Sequence, residues 1–177
     1  IAFGKKHKIL IVNDNPYSFI LNKDPKSILA VTGAKDVAIE LNSLSKNFNK
    51  EVWRVGMVFG KQTFIEDIHK VKTNMDNGMF YGIKKGYDNA MNLSNDWFAQ
   101  MNEVYEKRRK AVWEICEKIN CTYDKNSTGL FVWAKIPAGK KANEMTDDIL
   151  YKYDVFITPG TVFGDQGEGY IRFSLCV

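Results

Sequence analysis

Histidine and cysteine are scarce in this sequence: His7 and His69, and Cys116, Cys121 and Cys176, in 177 residues. The histidines lie far apart and no cysteines show metal-ligand spacing, so there is no basis for proposing a structural metal. An odd number of irregularly placed cysteines argues against a disulfide framework. They read as buried thiols of a reducing compartment. No apolar run approaches a membrane span, and no charged-then-apolar leader is present, which points to the cytoplasm. No sign of charge dominates either. The 25 basic and 21 acidic side chains, net +4, are spread along the chain. No basic run is long or aromatic-interleaved enough to propose nucleic-acid binding. Internal repeats and low-complexity segments are missing. So is an initial methionine: Ile1 falls inside what reads as a helix, Ile1–His7, and Val177 directly follows an apolar strand. Neither end reads as a natural domain terminus.

What is present is ordinary for a globular protein, with 45% hydrophobic and 26% charged residues. The length suits one domain, or one and a half, with a sizeable core. Ile9–Val12 is a β-branched apolar run with the signature of a strand covered on both faces. It ends in Asn13-Asp14-Asn15-Pro16-Tyr17, a polar turn in which Pro16 stops the ladder. Asp14 therefore stands at the carboxyl end of a strand, where open α/β sheets place ligand chemistry. An aspartate that merely closes the strand as an Asx-turn fits the residue equally well. Lys23–Lys35 carries turn signals and reads as a surface connection.

Val37–Leu41 is the second strand and runs into Asn42-Ser43-Leu44-Ser45-Lys46. Arg54–Phe59, closed by Gly60, is the third. Three strands with few helical residues between them suggest neighbours in one sheet, with at least one antiparallel pair. Lys46 lies between Ser43 and Ser45 on one side and Arg54 on the other. A lysine placed among hydroxyls and a guanidinium suits an amine that must lose its proton, condense with a carbonyl and sit beside a phosphate. Taken alone, Ser-x-Ser-Lys fits a surface lysine in a polar loop better.

Gln62–Asn74 has apolar residues at helical spacing (Phe64, Ile65, Ile68, Val71), and Ile83–Met91 is a second helical patch. Ser94 caps a long helix reaching about Asn120. Its stripe runs Trp97, Met101, Val104, Arg108, Val112, Ile115 and Ile119. Arg108 interrupts the stripe and reads as an arginine whose stem packs while its head reaches water. Beyond Asn120 come strand-like Thr122-Tyr123 and Gly129–Ile136, a helix Ala142–Tyr153, Val155–Thr158, the run Pro-Gly-Thr-Val-Phe-Gly at Pro159–Gly164, and a strand from Tyr170 to Val177. Strands with a helix after a long connecting helix form a second, smaller α+β layer. The fold class is α/β.

Three separated pieces then line up: Asp14-Asn-Pro-Tyr17, Ser43-Leu-Ser-Lys46 with Arg54, and Pro159–Gly164 with Tyr-Ile-Arg-Phe-Ser at 170–174. In order and spacing they resemble the class I and II aminotransferases, pyridoxal-phosphate enzymes of fold type I, over essentially the whole chain. The resemblance implies part of a large cofactor-binding domain with a mixed sheet over residues 1–105, and an incomplete small carboxyl-terminal domain over 106–177. It implies pyridoxal 5'-phosphate bound by Lys46 as a Schiff base. Asp14 matches the partner of the ring nitrogen, and Tyr17 matches the tyrosine that bonds the ring hydroxyl. Ser43, Ser45 and Arg54 match the residues around the phosphate, and Arg172 matches the substrate-carboxylate arginine. Without the resemblance, Arg172 reads as an alternating arginine on an exposed strand face. The implied partners are an amino acid, a 2-oxo acid and, in the complete protein, a second copy of the subunit.

The chemistry agrees with these roles. A carboxylate facing the ring nitrogen keeps it protonated, so that the ring accepts carbanion charge. Hydroxyls and a guanidinium donate to phosphate, and an arginine fork matches a carboxylate. The sequence departs from the family at Lys50-Glu51-Val52, where relatives carry small residues and a glycine. Val52 cannot take a glycine-like backbone cheaply, so a distorted loop is expected. By resemblance the chain corresponds to the second half of a subunit and would not transaminate alone. The same residues also serve other fold type I reactions, such as elimination at sulfur. A third reading, the sensing domain of a transcription regulator, would need a DNA-binding module upstream.

Overall fold

The computed structural model describes residues 1–49 and 51–176. It divides into two compact units, Ile1–Trp97 and Phe98–Val177. Among the described residues no helix is long and apolar enough to cross a membrane.

In the first unit, helix α1 (Ala2–His7) precedes strand β1 (Ile11–Asp14). Residues 15–37 hold two short 3-10 turns, Ile28–Ala30 and Ala34–Asp36, and lead to β2 (Ala38–Ser43). A one-turn helix, α2 (Leu44–Asn47), a 3-10 turn (Glu51–Trp53) and β3 (Gly56–Phe59) follow. The sheet order is β1-β2-β3. β1 runs parallel to β2, with Asp14 opposite Leu41. β3 is antiparallel to β2, with Ser43 opposite Gly56, as the closely spaced strands suggest. Helices α3 (Gln62–Met75) and α4 (Tyr81–Met91) complete the unit. Ile20, Ala34, Ala38, Ile39, Leu44, Phe48, Val55 and Ala90 form its core.

The first strand departs from expectation. β1 begins two residues later than the apolar run, at Ile11. Val12 is 52% exposed, and Ile9 and Leu10 are exposed as well. β1 is an edge of this sheet, and one face of its apolar run is left bare.

Helix α5 (Asn95–Lys118) contains the division between the units, at 97/98. The sequence-based boundary at 105/106 lies further along the same helix. The stripe read from the sequence is offset from the face that packs. Met101, Tyr105 and Cys116 are buried, whereas Val104 and Ile115 are exposed. Tyr105, not scored as apolar, takes the place expected of Val104. The Arg108 head also differs from expectation. Its Nη1 donates to the Leu175 carbonyl at 2.9 Å, satisfying a backbone acceptor just beyond the last strand.

The second unit is a four-stranded antiparallel sheet, ordered β4 (Thr122–Tyr123), β5 (Phe131–Lys135), β7 (Tyr170–Ser174) and β6 (Thr158–Pro159). Alternation sends Val132, Ala134, Ile171 and Phe173 inward with Leu130, Ile136 and Leu175. Helix α6 (Ala142–Tyr153), where the sequence placed it, adds Ala142 and Met145 to this core. Fully burying a side chain such as Leu130 or Ile171 is worth about 1.5–3 kcal/mol. Cys116 and Cys121 are buried, as expected, and burial pushes the Cys116 thiol up to about 12. Cys176, also expected buried, is exposed, because it lies past the end of β7.

Candidate functional site

Parallel β1 and β2 end at the same edge of the first sheet, and antiparallel β3 begins there. Topology alone therefore collects Asp14, Lys46 and Arg54 at the carboxyl end of the parallel pair. Asp14 closes β1 and is exposed; its register partner, Leu41, lies five residues before Lys46. Tyr17 sits in the turn that follows, and its carbonyl accepts the Ile20 N–H at 3.0 Å.

Ser43 is the residue that stops β2 and starts α2. Its backbone is extended, and its hydroxyl accepts the Ser45 N–H at 3.1 Å, an N-cap satisfying a donor of the first turn. Lys46 is consequently on a helical turn and half-buried. Arg54 is drawn to the same place because the Val55 carbonyl accepts the Leu44 N–H at 3.1 Å. One Arg54 nitrogen donates to the Glu51 carbonyl at 3.4 Å.

The expected distortion between Lys46 and Arg54 falls elsewhere than at Val52. Glu51–Trp53 form a 3-10 turn, in which Val52 is 88% exposed. Left-handed backbone occurs instead at Asn49 (φ 51°) and Arg54 (φ 53°). Asparagine tolerates that region with little strain; a long side chain does so less readily. Lys50 lies outside the described residues.

Arg172 belongs to the second unit, at the centre of β7, where it pairs with Trp133 of β5 and Thr158 of β6. It is half-buried, and its guanidinium lies 4.1 Å from the Phe163 ring centroid and 4.3 Å from that of Phe131. Trp133 meets Phe163 edge-on at 5.8 Å and stacks on Tyr170 at 5.3 Å. An aromatic surround of this kind is not an exposed strand face. The preceding loop is tied down by two glycines: a Cβ on Gly160 would lie 2.2 Å from the Gly167 carbonyl oxygen, so only glycine fits.

Against this geometry, the family described as aminotransferase class I and II matches residues 1–177. The chain belongs to that family. This class I and II aminotransferase sequence is 38% identical to an LL-diaminopimelate aminotransferase of Maridesulfovibrio salexigens, over all of the chain and 46% of that protein. It is 37% identical to a protein of the same name from Aquifex aeolicus, with the same coverage. Among solved structures, an aminotransferase from Staphylococcus aureus superposes with a TM-score of 0.84 at 30% identity, covering 95% of this chain and 45% of the other. An aromatic aminotransferase from Pyrococcus horikoshii gives 0.87 at 26% identity, covering 98% and 48%. The chain thus spans about half the length of the relatives it matches, and its mixed α/β fold is that of aminotransferase structures.

Several buried polar residues of this aminotransferase chain escaped the sequence reading. Asn47, next to Lys46, is 0% exposed. Its amide donates to Asn42 Oδ1 at 2.8 Å and Ser18 Oγ at 3.3 Å. Asn42 in turn donates to Ser18 Oγ at 3.1 Å. Glu40, also buried, accepts hydrogen bonds from both neighbours of Asp14. No local spacing could have found them, because their partners are far off in sequence. For Glu40 the available signal was a polar residue inside an otherwise apolar strand; Asn47, in a polar turn, offered none.

Proposed function

We propose that the protein carrying this chain transfers an amino group between an amino acid and a 2-oxo acid, using pyridoxal 5'-phosphate held at Lys46. The observation that supports this most is the collection of Asp14, Ser43, Ser45, Lys46 and Arg54 at one end of the sheet. The donor set fits the cofactor. Among the described residues the Lys46 amine, the Asp14 carboxylate and the Ser45 hydroxyl have no hydrogen-bond or ion-pair partner, although Ser45 is 7% exposed. Such groups, beside a guanidinium with most of its donors unspent, suit a ligand bearing a phosphate, an aldehyde and a basic ring nitrogen.

The bound cofactor supplies an electron sink for a bond to the substrate α-carbon. Lys46 would hold it covalently and, once displaced by the incoming amine, move a proton from and to that carbon at its Nζ. Asp14 would hold the ring-nitrogen proton, and Tyr17 would donate to the ring hydroxyl. Ser43, Ser45 and Arg54 would hold the phosphate, Arg54 as a charged fork. Arg172, flanked by its two rings, would grip the substrate carboxylate.

In this reading residues 1–105 form part of the cofactor-binding domain and 106–177 part of the small domain. The working enzyme is a homodimer, as the family resemblance implies, and its setting is the cytoplasm. LL-diaminopimelate, named for the relatives at 37–38% identity, is the amino donor to try first. The test is to load the full-length protein with pyridoxal phosphate, supply that amine and a 2-oxo acid, and follow formation of the new amino acid. Turnover that disappears in Lys46→Ala supports the reading. A Lys46→Ala protein as active as the wild type refutes it.

A further inference from the structure

Glu40 lies in β2, inside the first unit, and is 7% exposed. Burying a carboxylate is costly unless its lone pairs are matched, and among the described residues no basic group lies within ion-pair distance of it. Neutral donors match them instead. Oε2 accepts from Ser27 Oγ at 2.8 Å, the Ile28 N–H at 2.8 Å and Asn13 Nδ2 at 3.1 Å. Oε1 accepts from Asn15 Nδ2 at 3.5 Å. Burial raises the carboxyl pKa, yet the bonds from Ser27, Asn13, Ile28 and Asn15 outweigh it and hold the group below the ordinary range.

Asn13 and Asn15 are the two neighbours of Asp14. A carboxylate only accepts, so both amides turn their NH2 groups toward it, while that of Asn15 also donates to the Lys26 carbonyl at 3.1 Å. Side chains alternate along a strand, so clamping Asn13 and Asn15 on one face sends Asp14 to the other. The backbone is pinned as well. Asp14 is in register with Leu41, and the Asn15 N–H donates to the Leu41 carbonyl at 2.9 Å.

We propose that Glu40 is a positioning residue: through Asn13 and Asn15 it fixes the direction in which the Asp14 carboxylate meets the cofactor's ring nitrogen. The proposal rests on the functional reading above and assigns a role to a side chain outside the binding set. An amide in place of the carboxylate would turn one acceptor into a donor facing donors. One clamp would open, and Asp14 would lose its fixed aim while keeping its charge.

The experiment uses full-length protein loaded with pyridoxal phosphate isotopically labelled at the ring nitrogen. The nitrogen resonance is followed against pH in wild type, Glu40→Gln, Ser27→Ala and Asp14→Asn. Glu40→Gln is expected to bind cofactor but to lower the ring-nitrogen pKa by about one pH unit, a tenfold fall in the ratio of protonated to neutral nitrogen at a given pH. Its kcat should fall while KM stays within about twofold, the pattern of a contact that matters in the transition state. Ser27→Ala removes one bond to Glu40 and neither clamp, so it should lower the denaturation midpoint and leave the nitrogen titration at the wild-type position. A folded Glu40→Gln protein with wild-type nitrogen titration overturns the proposal. Should Glu40→Gln not fold, Asn13→Ala and Asn15→Ala each open one clamp, and wild-type titration in both overturns it equally. A wild-type protein that takes up no pyridoxal phosphate, or an Asp14→Asn protein with unaltered titration, refutes the functional reading beneath it.

Discussion

The side-chain oxygen of Asn47, the residue after Lys46, accepts the backbone N–H of Phe19, two residues beyond Tyr17, at 3.2 Å. The turn that carries Tyr17 is thereby fastened to the helical turn that carries the lysine, and the amide end of the same side chain reaches Ser18 and Asn42. Asn47→Ala removes all three bonds inside a fully buried site. Each buried polar group left orphaned costs about 1–3 kcal/mol, so denaturant titration should show a loss of at least that size. Asn47→Asp keeps the acceptor for Phe19 but abolishes the donors, and should be intermediate or worse if the new charge stays buried.

Arg172 held between Phe131 and Phe163 gives a second expectation. Removing one face, with Phe163→Leu, forfeits a cation–π contact of about 0.5–2 kcal/mol. KM for a carboxylate substrate should rise by about two- to thirtyfold, with kcat little changed, because the ring acts on binding through Arg172. Arg172→Leu should raise KM further, by the loss of a charge-assisted contact of about 1.5–3 kcal/mol. Steady-state kinetics of the two variants read both effects. Equal KM values in Phe163→Leu and wild type would contradict the role given to the rings.

Acid should loosen helix α6 through Glu168. Its carboxylate accepts the Ala142 N–H at 2.8 Å and the Gly169 N–H at 3.0 Å, and these bonds, Ala142 first, hold its pKa below the ordinary range. A carboxyl with a native pKa below its unfolded one stabilises the fold at neutral pH. That contribution starts to be lost as pH falls past about 4.3, the unfolded value, and is gone below the native pKa. Hydrogen exchange at the Ala142 amide, corrected for the intrinsic pH dependence, should lose protection across that window. In Glu168→Gln the corrected protection should be flat there.

Much of this was legible in the sequence, for local reasons. Helix α6 is bounded by a turn on one side and the apolar run 155–157 on the other, so its limits could be read directly. The Ser43–Lys46 stretch gained meaning only beside the motifs at 14–17 and 159–174, because alone it fitted a surface lysine in a polar loop better. Glu40 was not legible, since three side chains and a backbone N–H from two other segments decide its state. Spacing also misjudged α5: periodicity gives the helix but not its rotation, and Tyr105, an aromatic with a polar tip, took the buried place assigned to Val104. At Val52 a comparison of residue types led to expecting a distorted loop, and the left-handed backbone lies at Asn49 and Arg54 instead.

The central claim is that Lys46 is the amine that carries the cofactor. The direct measurement is borohydride reduction of the full-length protein loaded with pyridoxal phosphate, followed by proteolysis and peptide mass mapping. The account predicts one pyridoxyl group, on the peptide containing Lys46, absent when Lys46→Ala is treated in the same way. A pyridoxyl group found on any of the other lysines, with the Lys46 peptide unmodified, would contradict it.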